Sequence, residues 1–563
     1  MAARIVTLYG REIPLSIWWP FVYLWQDALV ALIFFTLDAT LKRPRIGWIA
    51  YGALVGYVAL NVPIARVLST PLTWTMLRAA RGPLADSILH YVTAPNLAAL
   101  AVPLVVGTLL PAALARRRIR WRPGYLVGAA AVIAIGALAT SRADTLGTHR
   151  NALGALVETS VERVASVPGS GDWRISPFER RATDDLSPLR GLMKGRNVVV
   201  VVLESTGAGR LGLYGGTPDP APNLTQLATH AVVFERAYAV YPESVKGLFS
   251  VLCSRYPAFD TAPETYAGVP CASFAQTLGA SGYRTALFHS GRFMYLGMRS
   301  VIDHRGFEVM EDAGDIGGHV DSSFGIDDES TVRRMLRWID SVEPPFLVTY
   351  LPTAGHNPYV TSRPGPFTSP SDFWRYMNAL HEGDAALGTL VDGLRARHLD
   401  ERTVFIVFGD HGEAFGEHPG NFAHTLFIHE ENVRVPYVVV APGAIRGQVR
   451  VSRVASVLDT APTLLDLLGL PAVAAHQGTS LLRAEPRMAL FYTDYSLGWL
   501  GLADACAKYL YEIDSRRSRL FDVCVDPGET RDRASEYPDR VDAYRARVLA
   551  WAEAQRDLIN RPQ

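Results

Sequence analysis

Long apolar stretches near the start of the chain limit its fold more than any other feature. Four of them, in a chain of 563 residues, are long enough to cross roughly 30 Å of hydrocarbon. They extend over about Ile17 to Leu37, Gly47 to Leu68, Ala94 to Ala115 and Pro123 to Thr140. One signal peptide would not repeat four times, so the sequence predicts a transmembrane domain over residues 1–140.

Basic residues between these stretches predict their orientation, because positive loops tend to stay in the cytoplasm. One loop contains Lys42, Arg43 and Arg45, and the next basic loop contains Arg116, Arg117, Arg118, Arg120 and Arg122. The sequence therefore predicts a multi-pass protein of the cytoplasmic (inner) membrane, with everything after Thr140 in the periplasmic or extracellular space.

Two features of the apolar part have alternative interpretations. Residues 72–92 fit either an interfacial helix or a fifth, poorer span. Asp27, inside the first span, fits either a functional role or a hydrogen bond within the helix bundle.

Charge and cysteine content narrow the function classes. The net charge is zero, so bulk charge does not indicate a nucleic-acid partner. The four cysteines all lie after residue 250, and an even number in an oxidising compartment predicts disulfides. Proximity in sequence favours Cys253–Cys271 and Cys506–Cys524, although four cysteines allow three pairings, and four free thiols are the alternative.

The remaining chain divides into a linker and a globular domain. Residues 141–195 mix an amphipathic helical stretch with loop-like sequence and are predicted to be a linker. From residue 196 to 563, buried runs such as "NVVVVVLE", "YRTALFH", "PFLVTYLP", "TVFIVFGD" and "VPYVVVAP" alternate with helical patterns. This alternation predicts an α/β domain with a mostly parallel central sheet covered by helices.

Polar residues follow several of these strands, where open α/β sheets bind their ligands. They are Glu204, His289, His356, Asp410 and His411. Any one of them fits a buried core histidine or a helix cap, but together they predict a site. Ser244, in "YPESVKGLFSVLCSRYP", stands before a predicted helix, so we expect it to cap that helix as well as to react.

The chemistry of these residues indicates one divalent metal ion. Glu204, Asp410 and His411 offer two carboxylates and an imidazole, which suit zinc or manganese better than magnesium or calcium. A metal would activate the hydroxyl of Ser244 as a nucleophile. His356, His424 and Arg299 are then expected to neutralise oxyanions or protonate a leaving group, with His418 or His429 as alternatives to His424 and a plain surface position as the alternative for Arg299.

From Asn197 to the C-terminus the chain resembles the alkaline-phosphatase and sulfatase superfamily. The resemblance rests on ordered motifs: "NVVVVVLES", "APNLTQLATHAVVFERAY", "LPTAGHNPY", "FGDHGEAFGEH", "ENVRVPYVVVAPG", "SVLDTAPTLLDLLGLP" and "SRLFDVCVDPGE". It implies that Glu204, Asp410 and His411 hold the metal with Ser244 as nucleophile, and that His356 and His424 contact substrate.

Departures from the sulfatase pattern shift the expected reaction. Lys246 and Leu248 stand where the formylglycine motif has Pro and Arg, so Ser244 is expected to stay unmodified. An unmodified hydroxyl residue at this position resembles the membrane-anchored branch of the superfamily, whose members also use an unmodified hydroxyl. That branch contains lipoteichoic acid synthase, phosphoglycerol transferases and phosphoethanolamine transferases. The stretch that precedes Arg299 resembles the phosphoglycerol transferases, and the stretch around Arg210 resembles the phosphoethanolamine transferases. Both arginines are expected, with Lys246, to bind substrate.

The resemblance implies transfer of a phospholipid headgroup phosphate, through a covalent Ser244 ester, to a glycan or glycolipid acceptor outside the cytoplasmic membrane. A membrane-bound phosphodiesterase, a phosphatase and a sulfatase are the hydrolytic alternatives. A catalytically silent scaffold with a structural metal is the alternative from another class.

Overall fold

The structure is a computed structural model that describes residues 2–11, 13–41, 43–79, 89, 91–114, 124–161, 163–164, 172–178, 184–320 and 324–560. Lys42, the five arginines between residues 115 and 123, and residues 80–88 of the candidate fifth span lie outside the described residues. The predicted positions of those groups stay predictions.

Four helices in the described part of the chain are long and apolar enough to cross a membrane. They are α2 (Trp19–Leu41), α3 (Pro44–Leu68), α5 (Ala94–Leu114) and α6 (Gly124–Ala139). Helices α1 (Ala2–Leu8) and α4 (Trp74–Ala79) are short. Helix α2 packs chiefly along α6, and α3 packs along α5. A helix satisfies its own backbone groups, which hydrocarbon requires of any spanning segment.

The predicted linker region packs against the outer domain. Asn151 caps helix α7 (Ala152–Glu158), which is shorter than the predicted amphipathic stretch. The carboxylate of Asp144 pairs with Arg517 at 2.8 Å and with Arg519 at 2.7 Å. The segment after the last apolar helix is therefore tied to the outer domain by half-buried charge pairs.

The central sheet confirms the predicted α/β class. Its strand order is β11-β2-β10-β6-β1-β5-β3-β4, with β9 paired to β2. The strands are β1 (Asn197–Leu203), β2 (Val232–Tyr238), β3 (Arg284–His289), β4 (Val309–Glu311), β5 (Phe346–Leu351), β6 (Thr403–Gly409), β9 (Arg434–Val435), β10 (Tyr437–Val440) and β11 (Val449–Ser456). Strand β10 runs antiparallel to β6 and β2. The sequence does not reveal this direction, because a strand buried on both faces has the same composition in either direction.

Helices cover both faces of this sheet. One face packs on α8 (Pro222–Leu227), α13 (Asp328–Asp340) and α14 (Asp372–Ala396), and the other on α9 (Ser244–Cys253), α10 (Phe274–Ala280) and α16 (Thr460–Leu467). The remaining named helices are α11 (Arg299–Ile302), α12 (Ala313–Ile316), α15 (Glu430–Val433) and α17 (Pro538–Asn560). A hairpin of β7 (Ala414–Phe415) and β8 (Phe422–Ala423) lies near the sheet edge.

A second, antiparallel sheet was not predicted from the sequence. It consists of β12 (Met488–Thr493), β13 (Trp499–Asp504), β14 (Ala507–Glu512) and β15 (Arg517–Asp522). Its strands contain buried charged residues such as Asp504, Lys508 and Glu512. These groups interrupt the apolar pattern, and partners elsewhere in the fold offset the cost of burying them.

The favoured cysteine pairing is confirmed. Cys253 bonds to Cys271 and Cys506 bonds to Cys524. The first disulfide ties the end of α9 to the segment before α10, so it holds the helix that begins at Ser244.

Candidate active site

The predicted strand-end residues meet at one edge of the central sheet. Strands β1 and β6 are parallel neighbours, with Leu203 opposite Gly409, so the residues that follow them lie side by side. Those residues are Glu204 after β1, and Asp410 and His411 after β6. One ligand atom from each lies within 4.8 Å of the others.

Ser244 completes this group, which we call the Ser244 cluster (Glu204, Ser244, Asp410, His411). Its hydroxyl lies 2.7 Å from Oε2 of Glu204 and 2.6 Å from Oδ2 of Asp410. It lies 3.4 Å from Nε2 of His411. The hydroxyl is therefore placed between the acid and imidazole groups that the sequence predicted around it.

The prediction that Ser244 caps its helix is wrong. The N-cap of α9 is Glu243, whose carboxylate accepts hydrogen bonds from the backbone N–H groups of Val245 and Lys246. A longer acidic side chain reaches those amides from one position earlier, which leaves the Ser244 hydroxyl free to face the carboxylates. Ser244 is the first residue of a ten-residue helix, where the partial positive charge favours a bound anion.

The donor set fits a divalent metal ion. Nδ1 of His411 lies 3.1 Å from the carbonyl oxygen of Gly412, which can only accept, so the proton is on Nδ1 and the Nε2 lone pair faces the carboxylates. Oδ1 of Asp410 accepts from the amides of Ser205 and His411, and Oδ2 stays toward Ser244. Glu204, Asp410 and His411 would hold the ion, with an open position at the hydroxyl.

The electrostatics of the cluster follow from its burial. Burial would raise the pKa of Glu204, but the nearby imidazoles of His411, His356 and His424 lower it to about 2. Burial and the Glu204 charge raise the pKa of Asp410 well above its usual range. Burial lowers the pKa of His411 to about 4, so its imidazole is neutral at pH 7. Two adjacent carboxylates beside a neutral His411 imidazole are the arrangement that a divalent cation would neutralise.

His356 and His424 lie beside the Ser244 cluster. The ring of His424 is 4.3 Å from that of His411 and 6.3 Å from that of His356, between centroids. A Cβ atom at Gly355 would overlap the carbonyl oxygen of Glu204, so glycine allows the His356 loop to approach. His418 and His429, the sequence alternatives to His424, stack on each other 3.7 Å apart in a different cluster.

Glu413 and Tyr359 support His424, and the sequence analysis missed both. Oε2 of Glu413 lies 2.6 Å from Nδ1 of His424, and its Oε1 accepts from the Tyr359 hydroxyl at 2.5 Å. Burial would lower the pKa of His424, but the charge and hydrogen bond of Glu413 raise it. Burial lowers the pKa of His356. The last residue of "DHGE" was the available signal for Glu413.

The three predicted basic substrate contacts occupy different surroundings. Lys246 is buried and pairs with Asp494 at 2.6 Å. Arg210 pairs with Glu417, donates to the carbonyl of Glu413 at 3.2 Å and lies over aromatic rings. Arg299 is exposed and pairs with Asp303 at 3.7 Å. Substrate contact by each of them stays a prediction.

The strand-end residue His289 is also buried near this edge. Its Nδ1 lies 3.0 Å from the carbonyl oxygen of Leu351, and burial lowers its pKa. Its ring stacks on Phe293. These contacts match the alternative of a satisfied core histidine.

A second group of imidazoles and carboxylates lies in the same domain. This Lys508 cluster contains His418, His429, Glu430, Glu431, Lys508 and Glu529. Nζ of Lys508 lies 3.0 Å from carboxylate oxygens of both Glu430 and Glu529. His429 is 3.0 Å from Glu529, and His418 is 2.7 Å from Glu431.

Comparison with known proteins assigns the domain. A sulfatase family model matches residues 196–470, which include the whole Ser244 cluster. This part of the chain belongs to the sulfatase family. The sulfatase domain thus confirms the resemblance to the alkaline-phosphatase and sulfatase superfamily, whose enzymes generally use a divalent metal.

Curated relatives match the sulfatase domain at modest identity. The chain is 25% identical over 300 residues to "Lipoteichoic acid synthase-like YvgJ" of Bacillus subtilis (strain 168), covering 50% of this chain and 48% of that protein. It is 28% identical over 205 residues to arylsulfatase K of Gallus gallus, covering 32% of this chain and 36% of that protein. The matches therefore span about half or less of the length of these relatives.

Solved structures share the fold of the sulfatase domain. A protein in the alkaline phosphatase superfamily from Vibrio parahaemolyticus aligns with a TM-score of 0.55 and 21% identity, over 69% of this chain and 94% of that one. The lipoteichoic acid synthase LtaP from Listeria monocytogenes aligns with a TM-score of 0.51 and 18% identity, over 66% and 94%. The described chain thus combines four helices that are long and apolar enough to cross a membrane with a sulfatase-family domain.

Proposed function

We propose that this protein is a membrane-bound phosphotransferase that uses Ser244 as a covalent nucleophile. The observation that carries the proposal is the Ser244 hydroxyl, which lies within 2.7 Å of two buried carboxylates at the start of a helix. The substrate class is a phospholipid with a phosphoglycerol or phosphoethanolamine headgroup, and the acceptor is a hydroxyl of a glycan or glycolipid. The relative named as lipoteichoic acid synthase-like supports this class.

An unmodified serine supports phosphoryl transfer over sulfate hydrolysis. Lys246, two residues after Ser244, is buried in an ion pair with Asp494. It occupies the place of the proline that formylglycine formation requires, and Leu248 occupies the place of the arginine. The hydroxyl would therefore react as an alkoxide and form a phosphate ester.

Zinc or manganese bound by Glu204, Asp410 and His411 would lower the pKa of the Ser244 hydroxyl, so that the hydroxyl would release its proton to solvent near neutral pH. The alkoxide oxygen attacks the phosphorus atom of the phospholipid, forming an O–P bond. The bond between phosphorus and the diacylglycerol oxygen breaks, and His424 protonates that leaving oxygen. In the second step His424 takes the proton of the acceptor hydroxyl, the acceptor oxygen attacks phosphorus, and the Ser244 alkoxide is released.

The two substrate histidines suit different tasks. Glu413 raises the pKa of His424 toward the protonated form that an acid needs, while burial keeps His356 neutral. Nδ1 of His356 lies 2.6 Å from the carbonyl oxygen of Asn357, so its Nε2 is free to accept a hydrogen bond. We assign proton transfer to His424 and orientation of the incoming hydroxyl to His356. Arg210 and Arg299 would add positive charge around the substrate, whereas the Lys246 charge is paired with Asp494, so Lys246 would act chiefly by fixing the start of α9.

The arrangement in the membrane follows from the charge and cysteine patterns. We propose that residues 1–140 form the transmembrane domain, residues 141–195 the linker and residues 196–563 the catalytic domain. Arg43 and Arg45 would stay on the cytoplasmic side of the inner membrane. The two disulfides would then form in the periplasmic or extracellular space.

Intact-mass measurement tests the proposal. The purified protein is incubated with phosphatidylglycerol or with phosphatidylethanolamine, and the peptide that contains Ser244 is then mapped. A phosphoglycerol or phosphoethanolamine adduct on Ser244 is expected and would identify the donor. Free headgroup phosphate as the sole product, with added glycans present, would contradict the transferase and favour a phosphodiesterase.

Sulfatase activity is the second candidate, because arylsulfatase K proteins are among the relatives. It requires an aldehyde at Ser244. An aldehyde in the mass spectrum of the same peptide would support it and would contradict the inference from Lys246 and Leu248.

A further inference from the structure

A cavity of about 390 Å³ lies between the apolar helices α1, α2 and α3, away from the Ser244 cluster. This volume falls within the range of roughly 300–1,000 Å³ that is typical of small-molecule sites. It exists because α2 packs along α6 and α3 along α5, which leaves a gap between the two pairs. Helix α1 contributes Arg4 and Thr7 to its lining.

The cavity is elongated and mostly apolar. On α3 its lining runs from Tyr51 to Ala65, about 20 Å of helix at 1.5 Å per residue. Val30 and Phe34 line it on α2. A long apolar slot between membrane helices is complementary in shape and polarity to a lipid acyl chain.

One end of the cavity, which Arg4 and Asp27 line together, is polar and touches the outer domain. Arg150 lines this end, and its Nη1 donates to the Ser496 hydroxyl of the outer domain at 3.1 Å. The polar end therefore lies at the boundary between the apolar helices and the outer domain. In a bilayer this is the depth of lipid headgroups.

Arg150 has unused hydrogen-bonding capacity. Its side chain is 2% exposed, its Nε lies 3.8 Å from the Glu158 carboxylate, and neither Nε nor Nη2 has a hydrogen-bond partner among the residues that the structure describes. Buried N–H groups without acceptors are costly, so Nε and Nη2 of Arg150 favour a ligand that brings an anionic oxygen.

Among the described residues that line the cavity, Asp27 is the one carboxylate, and its charge is already neutralised. Asp27 accepts hydrogen bonds from Nε and Nη2 of Arg4 at 2.7 and 2.9 Å and from Nδ2 of Asn151 at 2.6 Å. These contacts match the sequence-based alternative of a hydrogen bond inside the bundle. The charge of Asp27 is balanced within the wall, and Nε and Nη2 of Arg150 remain as donors for an anionic oxygen beside the Glu158 ion pair.

We propose that the cavity between α2 and α3 binds one anionic phospholipid, with an acyl chain along α3 and the headgroup phosphate at Arg150. The site is separate from the Ser244 cluster, and it concerns binding, so it stands whether or not the proposed transfer reaction is correct. Free phosphate would accept hydrogen bonds from Arg150 but would leave the apolar part of the cavity empty. A phospholipid would fill the apolar part as well.

Native mass spectrometry of the full chain in detergent tests the proposal. The Ser244→Ala background is used so that the proposed reaction cannot consume the lipid. Protein is supplied with phosphatidylglycerol, with phosphatidylcholine or with inorganic phosphate. One phosphatidylglycerol per chain is expected, with at least tenfold weaker retention of the zwitterionic lipid and no retained phosphate.

Two variants and a matched control locate the site. Val58→Trp fills the cavity from α3 and leaves Arg150 in place, so retention of phosphatidylglycerol should fall at least tenfold. Leu60→Trp adds the same side chain on the exposed face of α3, where retention should be unchanged. Arg150→Gln should abolish the preference for anionic lipid, and Arg150→Lys should restore part of it.

Equal retention in Val58→Trp and in the parent protein would overturn the proposal, and so would an equal loss in Leu60→Trp. Phosphate bound as tightly as the lipid would overturn the role of the acyl chain. If Arg150→Gln fails to fold, the comparison of Val58→Trp with Leu60→Trp still decides the location.

Discussion

The Ser244 cluster and the Lys508 cluster contain the same kinds of side chain in one domain, yet they balance charge differently. In the Lys508 cluster the ammonium group of Lys508 lies 3.0 Å from the carboxylates of Glu430 and Glu529. In the Ser244 cluster Glu204 and Asp410 face a hydroxyl and a neutral imidazole. Proximity of ligand atoms is therefore insufficient to indicate a metal centre. A cluster that contains its own cation does not need a metal ion to balance its carboxylates, whereas a cluster without one does.

Loss of the nucleophile should have the largest effect. Ser244→Ala removes the group that forms the covalent ester, so transfer activity should fall by at least roughly three orders of magnitude. Ser250→Ala is the matched control, because Ser250 is a buried serine on the same helix whose hydroxyl has no hydrogen-bond partner in the described part of the chain. Headgroup transfer from labelled lipid measures both; comparable losses would mean that the helix, and not the hydroxyl, was damaged.

The second-largest expected effect is on metal binding, which should differ between variants of the two clusters. Asp410→Asn removes a carboxylate from the Ser244 cluster and should weaken metal binding on the order of 100-fold. Glu529→Gln removes one from the Lys508 cluster and should leave metal binding unchanged. Elemental analysis and chelator competition provide the measurement. If Glu529→Gln loses the metal instead, the ion belongs to the Lys508 cluster and the comparison is reversed.

Loss of the cation in the Lys508 cluster should lower the stability of the folded protein. Lys508→Met leaves the buried carboxylates of Glu430 and Glu529 without their cation, which should cost about 3–5 kcal/mol in the free energy of unfolding. Metal content should not change. Lys194→Met, at an exposed lysine, controls for loss of charge. Thermal unfolding of the detergent-solubilised protein gives the comparison, and equal melting temperatures for the two variants would refute the internal-cation role.

The smallest effect is a pH-dependent one at the edge of the Lys508 cluster. Burial would raise the pKa of Glu431, but the hydrogen bond with His418 lowers it from 4.5 to about 2, so its contribution is lost as pH falls through this range. Burial would lower the pKa of His418, but Glu431 raises it above 6.5, so its contribution is lost as pH rises through the raised value. Glu431→Gln should therefore cost about 2 kcal/mol, most strongly between pH 4.5 and 6.5.

Unfolding of wild type and Glu431→Gln across this pH range measures the difference. The gap in melting temperature should narrow on both sides of the window. A gap that does not vary with pH would show that the Glu431–His418 pair is not ionised in the folded protein.

Much of the fold and of the Ser244 cluster was predictable from the sequence. Prediction of the apolar helices requires only their length and composition. The residues after β1 and β6 meet because parallel neighbouring strands end at the same edge of the sheet. Strands β12–β15 were not predictable, because buried charges such as Lys508 hide their apolar pattern. Their stability depends on partners that are distant in sequence, such as Glu430.

The sequence by itself predicted four membrane-spanning stretches, the α/β class and the residues of the Ser244 cluster, and it favoured the disulfide pairing that the structure contains. Only the tertiary structure decided that Glu243 caps α9 and frees the Ser244 hydroxyl, and that His424 lies beside His411 while His418 stacks on His429. A residue's type gives the chemistry it can perform. Which neighbour shares its charge or proton depends on burial and distance, and both are set by packing between segments that the sequence order keeps apart.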